Sequence, residues 1–247
     1  VDGLRIHARV SVERPLARAP AVVLVHGLIV SSRYMVPTAE RLAPFVPVFA
    51  VDLPGFGRSD DPARTLDVPE LADALASWME ASLLERAVLV GNSFGCQVIA
   101  ELAARHPGRV AGVVLAGPSM DPRARNAPAE MLRLLADWPR ERPSLTLIFL
   151  RDLLRAGLGR GWRTFRYALA DRIEAKLPLV QAPALVVRGS RDPIVPERWA
   201  EEAARLLPRG RLAVIPGAPH AINYSAPDEL VRILRSFLSE NIESSPE

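Results

Sequence analysis

Short, β-branched apolar runs alternate with longer amphipathic runs along almost the whole chain, and this alternation restricts the fold more than any other feature. Six runs, at 21–25, 46–51, 87–90, 110–116, 184–188 and 211–215, are mostly continuous apolar stretches, as strands buried on both faces are. Between them, the segments 32–42, 69–84, 93–105, 196–207 and 227–239 read as helices. The alternation predicts an α/β fold: a mostly parallel central sheet with helices on both faces. A length of 247 residues fits one such domain.

The alternation breaks once. From Met120 to about Pro178 no strand candidate appears, and Pro128, Pro139, Pro143, Gly157, Gly159 and Gly161 divide the stretch into short helices. So long an insertion is expected to pack as a helical cap, residues 120–178, over a core built from 1–119 and 179–247. Its large apolar residues, among them Trp138, Phe149, Trp162 and Phe165, either face a pocket or seat the cap on the sheet. The same stretch holds most of the clustered charge, twelve cations against seven acids between 121 and 176. That mixture reads as a solvated helical face, with an anionic ligand or surface as the alternative.

Composition narrows the functional classes. The chain carries a net charge of +3 but no basic stripe or nucleic-acid reading motif, so no nucleic-acid partner is expected. The single cysteine, Cys96, excludes an internal disulfide and a cysteine-based zinc site. Lying one turn after Ser93, it reads as a buried thiol, with a redox brake as the sharper alternative. No apolar run approaches the ~18–20 residues of a membrane span and no leader pattern opens the chain, so the expected location is cytoplasmic. Nothing in the sequence signals an oligomeric state.

The run at 87–90 leads into Gly91-Asn92-Ser93-Phe94-Gly95 and then directly into a helix. This is a G-x-S-x-G turn between strand and helix. Such a turn exposes the Ser93 Oγ on a strained backbone, the glycines admit close backbone neighbours, and the helix N-terminus faces developing negative charge. A serine nucleophile needs a base and the base needs an orienting acid. His220 lies on the loop after the last strand, at the sheet edge where sites form, whereas His7 and His106 read as structural. Asp192, just beyond the strand at 184–188, is the favoured acid, with Asp121 as its rival. After the first strong strand, His26-Gly27-Leu28-Ile29 offers a turn whose backbone N–H at Leu28, or at Ile29 one residue on, pairs with the Phe94 N–H as a two-donor oxyanion hole. His26 itself reads as a turn-stabilising side chain.

With these residues the chain resembles the α/β-hydrolase superfamily, in particular its small serine hydrolases with a helical cap. The likeness runs through nearly the whole chain and includes Asp52-Leu53-Pro54-Gly55-Phe56-Gly57-Arg58-Ser59, similar to a largely structural loop of that family. Ser93 at the elbow sets the chain apart from the aspartate-dependent dehalogenases and epoxide hydrolases. The resemblance implies a carboxylesterase-like hydrolase that uses Ser93, Asp192 and His220, needs neither metal nor organic cofactor, and acts on a small-molecule ester through an acyl-enzyme. Hydrolysis of carbon–carbon bonds in meta-cleavage products is the alternative, suggested by Gly-Asn-Ser-x-Gly. The Leu28-Ile29-Val30-Ser31-Ser32 stretch departs from the glycine-rich turn common there. A non-catalytic small-molecule binder on the same fold is the reading from a different class.

Overall fold

A computed structural model describes residues 3–11 and 20–241. The elements in chain order are β1 (Ala8–Val10), β2 (Val22–Val25), α1 (Val36–Leu42), β3 (Val48–Val51), α2 (Val68–Ala81), β4 (Ala87–Asn92), α3 (Phe94–Arg105) and β5 (Val110–Ala116). There follow α4 (Ala127–Asp137), α5 (Pro143–Ala156), α6 (Leu158–Ala170), α7 (Ile173–Lys176), β6 (Ala184–Gly189), α8 (Glu197–Leu206), β7 (Gly210–Ile215), α9 (Ile222–Ser225) and α10 (Pro227–Asn241). The seven strands form one sheet in the order β1-β3-β2-β4-β5-β6-β7, parallel throughout except that β1 runs antiparallel to β3. All six expected strands are present. The seventh, β1, was not expected: three residues with one exposed end carry no readable period.

The period of two explains the layers. Val23 and Val25 of β2, Leu89 of β4, Val113 and Leu115 of β5 and Val186 of β6 point to one face, onto Leu71, Leu75 and Met79 of α2, Ile99 and Leu102 of α3 and Trp199 of α8. Their neighbours Leu24, Val88, Val90, Val114 and Val187 point the other way, onto Leu42 of α1 and Leu230, Leu234 and Phe237 of α10. Helix α2 begins where Asp67 and Glu70 close a reciprocal capping box, each side chain accepting the other's backbone N–H at 3.0 Å. Between β5 and β6 lie four α-helices, two short 3-10 turns and no strand, as expected for that stretch.

Topology singles out one edge of the sheet. After β2 the chain runs outward to β3, then returns to lay β4 on the other side of β2. The carboxyl ends of β2 and β4 therefore flank the point where strand order reverses, the crevice in which open parallel sheets bind ligands.

Candidate active site

At the end of β4 Ser93 adopts φ 54° and ψ −119°, a left-handed backbone that a side chain occupies only when its surroundings enforce it. The flanking glycines provide that enforcement. A Cβ on Gly91 would lie 2.6 Å from the Gly95 backbone, and one on Gly95 would lie 2.5 Å from the Val25 carbonyl oxygen. Only hydrogen at both positions lets α3 start so close to β2 and β4. The Ser93 N–H donates to the Ala116 carbonyl at 3.0 Å, fixing the turn to β5.

The loop after β7 brings His220 to the same place. Its Nδ1 lies 2.8 Å from Asp192 Oδ2, and the other Asp192 oxygen accepts the backbone N–H groups of Ile194 and Val195 at 2.7 and 3.0 Å. The acid is thus held rigidly and in turn holds the ring. With Nδ1 so engaged, His220 Nε2 is buried without a hydrogen-bond partner among the described residues, and His220 and Ser93 line one pocket. Gly117, at φ 63°, lets the exit of β5 pack on the imidazole, since a Cβ there would come within 3.1 Å of the ring. Asp121 stands elsewhere: it is fully buried against Arg198 of α8 and Arg133 of α4. That pairing holds its carboxyl, despite burial, below the usual carboxylate range.

The turn after β2 faces the elbow. Gly27 sits so near that a Cβ would touch the Ser93 Cβ at 3.4 Å. Ile29 takes φ 67°, an outlier for a β-branched residue. Neither the Leu28 nor the Phe94 N–H donates to a protein acceptor among the described residues. His26 is fully buried, its Nδ1 at 2.8 Å from the Gly27 carbonyl, while Nε2 accepts the Leu53 N–H at 3.1 Å. Those two bonds require the neutral ring, and burial accordingly lowers its pKa against the nearby Asp52 charge. Asp52 accepts N–H groups from Ser32 and Arg58 at 2.6 and 2.9 Å and meets His7 Nδ1 at 2.8 Å, which ties the 52–59 loop together. Cys96 is buried beneath the elbow, its thiol donating to the Gly91 carbonyl at 3.1 Å, and burial pushes its pKa well up.

Three site residues, Tyr34, Asp137 and Glu141, carried no signal in the sequence, and Asn92 was read there only as part of Gly-Asn-Ser-x-Gly. Asn92 Nδ2 donates to the Ala116 and His220 carbonyls at 3.0 and 3.4 Å while its Oδ1 accepts the Tyr34 hydroxyl at 2.8 Å, joining the elbow to the histidine loop. Asp137 Oδ1 accepts the His220 N–H at 3.3 Å, and Glu141 accepts the Ala221 N–H at 2.6 Å and the Ser225 hydroxyl at 2.5 Å. Burial pushes Asp137 up to about 7, opposed by His220 and helped by the charges of Glu141 and Asp192. Burial alone would lower His220; the charge and hydrogen bond of Asp192, with Asp137 and Glu141 behind them, outweigh it and raise the ring to about 9.

The pocket holds about 590 Å³. Leu145, Phe149 and Leu153 of α5 and Trp162 and Phe165 of α6 line it together with Ser93 and His220, and among the described residues no lysine or arginine does. No cluster able to hold a metal ion occurs among the described residues.

A family model described as the alpha/beta hydrolase family matches residues 22–233. The biotin biosynthesis bifunctional protein BioHC of Cellvibrio japonicus is 31% identical over 244 residues, covering 88% of this chain and 47% of that protein. The chain spans about half the length of the first curated relatives it matches. A pimeloyl-[acyl-carrier protein] methyl ester esterase of Xanthomonas campestris pv. campestris is 28% identical over 250 residues, 91% of this chain and 97% of that one. Among solved structures, Est816, described as an N-acyl homoserine lactone degrading enzyme, superposes with a TM-score of 0.81 at 25% identity, over 96% of this chain and 98% of that one.

Proposed function

The chain belongs to the alpha/beta hydrolase family, and from that premise we propose that it is a serine carboxylesterase for uncharged, medium-sized apolar esters. One observation carries the reading: Ser93, on an enforced left-handed backbone, shares a pocket with a histidine whose Nε2 has no partner among the described residues and whose Nδ1 is held by a buried carboxylate. In the proposed mechanism Ser93 Oγ attacks the ester carbonyl while His220 Nε2 takes its proton, and Asp192 balances the imidazolium that forms. The free N–H groups of Leu28 and Phe94 receive the oxyanion. His220 then protonates the departing alkoxide, and a water deprotonated by the same nitrogen attacks the acyl-enzyme and frees Ser93.

We read residues 120–178 as the cap that forms the apolar roof. The named esterase and lactone-degrading relatives act on acyl carbonyl compounds, which supports an ester-type substrate here. Among the described residues Asp137 and Glu141 line the pocket while no lysine or arginine does, so an acyl chain ending in a carboxylate finds no lysine or arginine to pair with.

The test is a series of p-nitrophenyl esters from acetate to decanoate on wild type and Ser93→Ala, with a fluorophosphonate probe alongside. The expected optimum lies between butyrate and octanoate, and Ser93→Ala loses roughly 10⁴-fold or more in kcat together with all labelling. Ester turnover that survives Ser93→Ala refutes the mechanism. Labelling without turnover of any ester removes the substrate class.

A further inference from the structure

The helices between β5 and β6 carry an outer surface that ester hydrolysis does not use. Among the described residues fifteen large apolar side chains are exposed, and ten of them lie between Met131 and Trp162. Leu147, Leu150 and Leu154 recur on one face of α5 at helical spacing, with Leu154 84% exposed. Leu135, Trp138 and Trp162 are exposed and also line the pocket, so this apolar surface continues into the pocket mouth.

Charge on the same surface has one sign. Every exposed charged residue between Arg123 and Arg166 is an arginine, whereas Glu130, Asp137 and Asp152 are buried and Glu141 is half-buried in its bonds to the α9 loop. Arg142, Arg151, Arg163 and Arg166 form no ion pair among the described residues. The sequence suggested a mixed-sign solvated face. The structure turns the acids inward and leaves leucine, tryptophan and arginine outside, the make-up of helices that lie in a lipid interface.

We propose that this face docks the protein on an anionic lipid surface, with the α5 leucines entering the acyl layer, the arginines meeting phosphates, and the pocket mouth opening onto the lipid. An acidic protein would match the arginines but offer little to the leucines, because folded proteins seldom expose an apolar patch of comparable size. A bilayer supplies both partners at once. The inference goes beyond the esterase reading, since docking needs no turnover.

The experiment is partitioning onto vesicles of phosphatidylcholine alone or with one-third phosphatidylglycerol, followed by sedimentation and tryptophan emission, on wild type and on Ser93→Ala. Of the four tryptophans Trp78 and Trp199 are buried, so a blue shift on binding reports Trp138 and Trp162. Binding to the anionic vesicles, a blue shift and weakening in salt are expected in both proteins, whatever their esterase activity. Arg151→Gln with Arg163→Gln should reduce partitioning about 25-fold, at about fivefold per charge near the surface. Leu147→Ser with Leu154→Ser should reduce it at least about tenfold and diminish the blue shift. Thermal melting of each double variant verifies its fold; all four side chains are exposed, so little change is expected. Failure to bind anionic vesicles, equal binding to both vesicle types, or binding that survives both double variants overturns the proposal.

Discussion

Asp137 reaches His220 from α4, outside the sheet, and places a second carboxylate beside the ring that Asp192 already holds. Its charge is one of those that raise His220 to about 9. On the esterase reading His220 is the base and must be neutral to take the serine proton, so kcat/KM is expected to climb with pH on the alkaline side of neutrality. Asp137→Asn keeps an oxygen for the His220 N–H but removes the charge. His220 then releases its proton more readily, and the acid limb of kcat/KM should move to lower pH by roughly half to one unit. A pH–rate profile of a p-nitrophenyl ester measures this, and an unmoved limb would show that the charge is not felt at the ring. Stability follows the same sign. A histidine raised on folding contributes fully below its unfolded value of about 6.5, and its contribution fades as pH rises through about 9. Melting temperature should therefore fall over that window.

The elbow owes its shape to three elements meeting in a volume that excludes a methyl group. Gly95→Ala would drive a Cβ to 2.5 Å from the Val25 carbonyl, which belongs to the central strand β2 and has no room to move. A loss of about 2–4 kcal/mol is expected, lowering the melting temperature by roughly 5–15 °C. Gly159→Ala is the contrasting case: nothing lies within 4 Å of its Cβ position and it sits in α6, so it should stabilise by about 0.5–1 kcal/mol. Melting both variants tests whether close approach, rather than glycine's flexibility, is what the turn requires. At this scale the sequence is most readable. Strands β2, β4, β5 and β6 are wholly buried, so their apolar runs are unbroken, and the G-x-S-x-G spacing follows from a local steric demand. His220 and Asp192 were readable as candidates because each follows a recognisable strand. The roles of Tyr34, Asn92, Asp137 and Glu141 were not, because they depend on partners 24 to 128 residues away that no local pattern encodes.

Across the whole molecule, the inserted helices and the histidine loop are joined by polar contacts rather than by packing alone. Glu141 accepts the Ala221 N–H and the Ser225 hydroxyl, and the Tyr224 hydroxyl donates to Ser144 at 2.9 Å. Farther along, the insertion leans on the core through Arg155 and Arg160 at Asp61, half-exposed pairs that each contribute little. The insertion also touches the turn after β2: Gly161 leaves room for the Ile29 side chain, which a Cβ would meet at 3.1 Å. The same segment therefore abuts the proposed base loop and the proposed oxyanion turn. Glu141→Ala removes both acceptors at once and leaves the Ala221 N–H without its partner, a cost of about 1–3 kcal/mol. Hydrogen exchange is expected to speed up together in residues 138–156 and 220–226 while β2, β4 and β5 stay protected. On the esterase reading kcat should fall about 10- to 100-fold with KM little changed, because the base is misplaced while the apolar roof remains. Exchange that quickens only around residue 141, with kcat intact, would mean that the insertion covers the pocket without helping to place the histidine.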